Sequence, residues 1–119
     1  MPTSPSIDRE TLTTLFDSLG GDPDFLAELL DEYFKDAPAQ FQTLHEALIT
    51  GNAETFRRAA HSMKSNSANF GAMTLSGMCK ELEEMGRTGQ LDGAAPLIVQ
   101  AETEYQRGKS ALEDALKEV

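Results

Sequence analysis

Residues Asn52–Ala72 read NAETFRRAAHSMKSNSANFGA, and this stretch decides the fold. Asn52 follows Gly51 as a helix N-cap, and Gly71 stands where a helix would stop. At ~100° per residue, Phe56, Ala59, Ala60, Met63, Ser67 and Phe70 share one face. Glu54, Arg57, His61, Lys64 and Ala68 share the other, with Arg58 and Ser65 at its edge. The pattern therefore predicts an amphipathic helix that points His61 toward solvent. Cations stand one turn to either side, Arg57 before and Lys64 after, with small residues Ser65 and Ala68 beside them. Such a surface suits a nucleophile that must accept an anion.

Working outward, the same periodicity recurs along the chain. Asp8 is placed to cap a first helix with Leu12, Leu15, Phe16 and Leu19 on its apolar face, and Ile7 and Leu12 are spaced as a hydrophobic staple. Gly20-Gly21 end it. Asp22-Pro23 opens a second helix. Its stripe runs through Phe25, Leu26, Leu29, Leu30, Tyr33 and Phe34 and on to Ala37, Phe41, Leu44 and Leu48. Pro38 predicts a kink or break near Ala37. A fourth helix is expected from about Thr74 to Met85, with Leu75, Met78, Cys79, Leu82 and Met85 inward and Gly86 as its stop. Asp92 is the expected cap of the last helix. There Ala94, Ile98, Ala101, Tyr105, Gly108, Leu112, Ala115 and Val119 recur with the alternating four-three spacing of a bundle seam. No stretch alternates long enough for a strand. The predicted fold is all-α: an antiparallel four-helix bundle over residues 7–119 with a short additional N-terminal helix, preceded by a flexible Pro/Ser-rich tail, residues 1–6.

The run from His61 to Ala72 resembles the signature of histidine-containing phosphotransfer (HPt) domains of two-component phosphorelays. His61, Met63, Lys64, Ser67, Phe70, Gly71 and Ala72 carry the match. Cys79, Leu82, Glu83, Gly86 and Arg87 resemble the family's C-x-x-L-E-x-x-G-R stretch downstream. Two positions depart from the pattern: Ser65 stands where glycine is usual, and Asn66 is more polar than the usual small residue. Neither removes the nucleophile or the lysine, so they bear on rate and partner fit rather than on the chemistry.

The resemblance implies a four-helix bundle whose histidine accepts a phosphoryl group from a receiver-domain aspartyl phosphate. It then passes that group to a response-regulator receiver domain. The implied partners are receiver domains of a hybrid sensor histidine kinase and of response regulators. These would supply the Mg²⁺ and the acidic pocket, leaving this chain with no cofactor and no ATP-dependent kinase activity of its own. His61 is then the phosphoryl acceptor. An exposed imidazole titrates near pH ~6.5 and is largely an uncharged nucleophile at neutral pH. Lys64, three residues on, adjoins it and would neutralise an incoming phosphoryl group of about −1.5 to −2 charges.

Arg57 and Arg58 could steer an acidic receiver or be ordinary surface arginines. Ser65 and Ala68 read as space-makers. Some family members carry a glutamine at the position of Glu83. A carboxylate there cannot donate to a phosphoryl group, but it can accept from an imidazole N–H. His45 borders the Phe41, Leu44, Leu48 stripe and reads as structural. Cys79 reads as core.

Composition agrees with this reading. The 119 residues carry a net charge of −10 and a pI near 4.5, which disfavours nucleic acid and anionic membrane surfaces. No segment approaches the ~20 apolar residues of a membrane span. The start MPTSPSIDRE lacks the basic and apolar regions of a signal peptide, and a lone cysteine forms no internal disulfide. These features predict a cytoplasmic, monomeric domain, and the initial methionine favours a free-standing chain. No phosphate-binding glycine loop, nucleophile elbow or closely spaced His/Cys metal set stands in the sequence. The alternative is a helical-bundle adaptor that binds signalling partners without chemistry, for which His61 would be dispensable.

Overall fold

The computed structural model describes residues 6–118. The five helices in it are α1 (Arg9–Ser18), α2 (Pro23–Thr50), α3 (Ala53–Asn69), α4 (Met73–Thr88) and α5 (Ala94–Leu116), and no strand occurs among the described residues. Helices α2 to α5 form the antiparallel bundle. α3 packs most extensively on α4 and then on α2, and α5 closes the ring against α4 and α2. Helix α1 touches the bundle at α3. Residues 1–5 of the expected tail and Val119 of the expected seam lie outside the described residues. Ser6, also assigned to the tail, is half-buried at the bend leading into Ile7.

The caps explain the helix starts. Asp22 accepts hydrogen bonds from the Asp24 and Phe25 amides, with Pro23 as the first helical residue, and Asn52 accepts from the Thr55 amide. Asp8 holds the cap position of α1, but its carboxylate accepts from the Thr11 hydroxyl at 2.6 Å and not from a helix amide. Its backbone does other work. The Asp8 N–H donates to the Gly71 carbonyl at 2.7 Å, fastening the N-terminal segment to the end of α3. Gly71 takes φ +81°, and a β-carbon there would stand 2.6 Å from the Asp8 carbonyl oxygen, so only glycine fits.

The core follows the predicted stripes except at Phe25, which was placed on the α2 stripe and is 43% exposed at the start of that helix. Phe56, Ala59, Ala60, Met63, Ser67 and Phe70 are all buried, as are the seam residues of α5 from Ala94 to Ala115. Ile7 is buried too and packs on Gly108. Each such Leu, Ile, Phe or Met contributes roughly 1.5–3 kcal/mol of transfer free energy. Ser67, polar within an apolar stripe, pairs its hydroxyl with that of Tyr33 at 2.9 Å. Tyr33 in turn stacks among Phe34, Phe70 and Tyr105. Cys79 lies fully inside this core, where burial pushes its thiol up to about 12.

Three expectations are corrected. Helix α2 runs 28 residues without interruption through Pro38. Buried Tyr33, Ala37, Phe41 and Leu44 anchor it on both sides of the proline, so the missing amide does not end the helix. Helix α4 begins at Met73 and continues past Gly86 to Thr88, stopping at Gly89 with φ +76°. Gly86 serves close helix approach, as described below. Helix α5 is preceded by Gly93 at φ +84°, not capped by Asp92, because the turn closed by the Ala94 N–H on the Leu91 carbonyl leaves Asp92 one residue too early.

Candidate functional site

His61 follows buried Ala60 by one residue, so the helix turns it ~100° away from the core. Its side chain is 55% exposed. Two features bring α4 alongside at this level. Gly86 lets the helix backbones approach near Arg57, and the Ser76 hydroxyl donates to the Lys64 carbonyl at 3.0 Å. Between these two points Glu83 of α4 reaches across to α3.

The Glu83 carboxylate joins the site. Its Oε2 lies 2.8 Å from His61 Nδ1, and its Oε1 lies 2.6 Å from Lys64 Nζ. Glu83 is held below the usual carboxylate range, first by its hydrogen bond from Lys64 and further by the one to His61, against the opposing effect of burial. An ionised carboxylate only accepts hydrogen bonds, so Nδ1 is the donor of this pair, and in the neutral ring Nε2 then carries the lone pair. Among the described residues no side chain bonds Nε2. The arrangement is an oriented, accessible ring nitrogen beside a lysine.

The arginines sit one turn earlier and are not free. Glu54 takes both arms of Arg57, at 2.9 Å each, and the Arg58 Nε at 3.1 Å. Arg57 chiefly, with Arg58, pulls the Glu54 carboxyl down to about 2. Within this group of five, Arg57, Arg58 and Lys64 outnumber Glu54 and Glu83, on a chain of −10. Ser65 is exposed and Ala68 half-buried on the same side of α3. The structure thus brings together His61, Lys64 and Glu83, and ties Arg57 and Arg58 to Glu54 of the same polar face. Its signal was available: Glu54 precedes the two arginines by three and four residues, the spacing of helical ion pairs.

His45 is elsewhere. Its Nε2 lies 3.2 Å from Glu102 of α5, linking α2 to α5 across the bundle from the α3–α4 pair. Among the described residues no three His, Cys, Asp or Glu side chains stand close enough to hold a metal ion, and no helix is long and apolar enough to cross a membrane.

Comparison with known proteins gives a consistent picture. The sequence model of the Hpt domain matches residues 28–119. Histidine-containing phosphotransfer protein 2 of Arabidopsis thaliana is 27% identical over 97 residues, which cover 79% of this chain and 62% of that protein. Histidine-containing phosphotransfer protein 5 of the same plant is 26% identical with the same coverage. This chain therefore spans less than two thirds of the length of those curated relatives. The crystal structure of histidine-containing phosphotransfer protein B from Pseudomonas aeruginosa PAO1 superposes with a TM-score of 0.87 at 34% identity, covering 98% of this chain and 99% of the other.

Proposed function

The chain belongs to the Hpt domain family, and from that premise we propose that it is a phosphorelay intermediate with His61 as its phosphoryl acceptor. The observation that supports this most is the orientation of the ring. Glu83 engages Nδ1, and the half-exposed imidazole keeps the basic Nε2 for an incoming group. In the forward step the Nε2 lone pair forms a bond to phosphorus. The bond from phosphorus to the aspartyl oxygen of a receiver domain breaks, and its electron pair leaves with the carboxylate. In the return step a receiver aspartate attacks the phosphoryl group and Nε2 recovers its pair.

Lys64 is the neutralising cation of this scheme. In the unphosphorylated protein its ammonium is held by Glu83, so it exchanges partners when the phosphoryl group arrives. The receiver of a hybrid sensor kinase is the donor and that of a response regulator the acceptor. Their Mg²⁺ and acidic pockets complete the site, and the work of this chain is positioning and charge neutralisation. Arg57 and Arg58 border the docking surface with Ser65 and Ala68. Kinase activity toward ATP belongs to the partner, and the domain acts as a cytoplasmic monomer.

The test is incubation of the chain with a phosphorylated receiver domain, followed by mapping of acid-labile phosphate. Phosphate on His61 supports the reading. Transfer that persists in His61→Gln removes it and leaves the adaptor role.

A further inference from the structure

Ser65 and Ala68 share the His61 side of α3, and of the two only Ser65 carries a side-chain hydrogen-bond donor. Resting on the acceptor reading above, we infer that Ser65 is a phosphoryl-binding residue. Its hydroxyl donates to an oxygen of the phosphoryl group on His61 and prolongs the life of the phosphohistidine.

Helix geometry sets the two flanks of the acceptor. Lys64, three residues on, lies about 60° around the helix to one side of His61, and Ser65, four residues on, lies about 40° to the other. Glu83 bonds both His61 and Lys64, so α4 lies on the lysine's flank and Ser65 borders the open one. At four-residue spacing the β-carbons are roughly 5–6 Å apart, and each side chain leans back over the turn before it. That lean brings exposed Ser65 to the level of His61.

The donors of this face differ in what already holds them. Arg57 and Arg58 are taken by Glu54, and Lys64 by Glu83. Thr43, Thr50 and Thr103 bond their hydroxyls to carbonyls four residues back, whereas among the described residues the Ser65 hydroxyl bonds no protein group. An arriving phosphoryl oxygen therefore engages Ser65 without breaking a bond within the protein.

The chemistry gives the direction of the effect. A hydroxyl that donates to an ionised phosphoryl oxygen makes a short, charge-assisted bond. Phosphoryl transfer runs through a loose, metaphosphate-like transition state. As the N–P bond opens, its electron pair returns to Nε2, and the charge on the three oxygens falls from that of a dianion toward that of a monoanion. A donor on those oxygens thus holds the phosphohistidine more tightly than the transition state, and hydrolysis slows. The same bond shifts the sharing of phosphate with a receiver toward this chain.

The experiment needs no partner protein. The full chain is phosphorylated with phosphoramidate: Nε2 bonds to phosphorus, the P–N bond of the reagent breaks, and ammonia leaves with its electron pair. After removal of the reagent, decay of the phosphohistidine is followed by ³¹P NMR at fixed pH in the wild type, Ser65→Ala, Ser65→Gly and Ser65→Thr. Circular dichroism checks the fold of each. Ser65→Ala should decay roughly three- to tenfold faster than the wild type, the factor that one hydrogen bond in competition with water supplies. Ser65→Gly should decay like Ser65→Ala, since neither has the hydroxyl, and Ser65→Thr should decay like the wild type. Equal lifetimes for the wild type and Ser65→Ala overturn the inference. Lifetimes ordered by side-chain size, with Ser65→Gly apart from Ser65→Ala, overturn it equally and assign residue 65 to steric access. A phosphate signal that survives in His61→Gln instead defeats the acceptor reading, so the two failures are distinct.

Discussion

Gly86 of α4 lies against the backbone of Arg57 on α3: a β-carbon at residue 86 would stand 2.8 Å from both the Arg57 nitrogen and its Cα. The helices touch main chain to main chain one turn from His61. That contact sets how far Glu83 must reach to hold both His61 and Lys64.

Gly86→Ala tests this contact. In an unobstructed helix interior the change would stabilise by roughly 0.5–1 kcal/mol. Here the added carbon meets backbone that cannot rotate away, and overpacking of that kind costs roughly 1–3 kcal/mol. A net loss of stability in chemical denaturation is expected. A more stable variant would mean that α3 and α4 can part freely at this level.

His61→Gln should fold with near-normal stability, since the side chain is exposed, and should lose phosphate uptake completely because an amide is not a competent nucleophile. Lys64→Ala should slow transfer without abolishing it. His45→Gln, on the α2–α5 side, should transfer normally. Wild-type uptake by His61→Gln in a phosphorylated-receiver assay is the result that contradicts the proposal.

Replacing Arg57 and Arg58 together with alanine removes two cations and leaves Glu54 unpaired. Association with an acidic receiver should slow, and its dependence on ionic strength should flatten, because charge near a docking face acts mainly on encounter. Stopped-flow association at two salt concentrations measures both. Unchanged rates at low salt would take these arginines off the docking surface.

Acid should destabilise the fold. Glu54, Glu83, Glu84 and Glu118 are all held below the ordinary carboxylate range, chiefly by hydrogen bonds from Arg57, Lys64, Arg87 and Arg9 respectively. A carboxylate depressed in the folded state stabilises fully above its unfolded value of ~4.3 and loses that contribution as pH falls through the folded value. For Glu54 that window reaches down to about 2. Water screens the exposed pairs, so each contributes little; Glu83, with its side chain only 19% exposed, is screened least. Relief of repulsion among excess carboxylates works in the opposite direction. Melting curves at constant ionic strength should show Tm falling below ~pH 4.3, with a shallower fall in Glu83→Gln. A Tm that rises on acidification would show that repulsion outweighs the ion pairs.

Much of the fold was legible because it depends on local periodicity. Phe56, Ala59, Ala60, Met63 and Ser67 declared the buried face of α3, and His61 was exposed by subtraction. The capping groups of Asp22 and Asn52 marked helix starts that need nothing from the rest of the chain. What escaped depends on contacts between helices. Gly86 reads as a helix stop in its own segment, and only the nearness of Arg57 shows why glycine stands there. Glu83 was visible as a candidate, but its simultaneous hold on His61 and Lys64 arises from the spacing of two helices, which neither helix encodes alone. The hold of Glu54 on Arg57 and Arg58 lies within the polar face, where the periodicity of the apolar stripe carries no information about pairing.

The burial of Cys79 has a practical consequence for observing this protein at work. Its thiol is the only one in the chain, it lies fully within the core, and burial keeps it protonated across the ordinary working range. Thiol-directed dyes and spin labels should therefore pass over the folded native chain. A single cysteine introduced at an exposed position, such as Ser65, would be labelled alone, and a reporter could be set beside His61 without first removing a residue from the core.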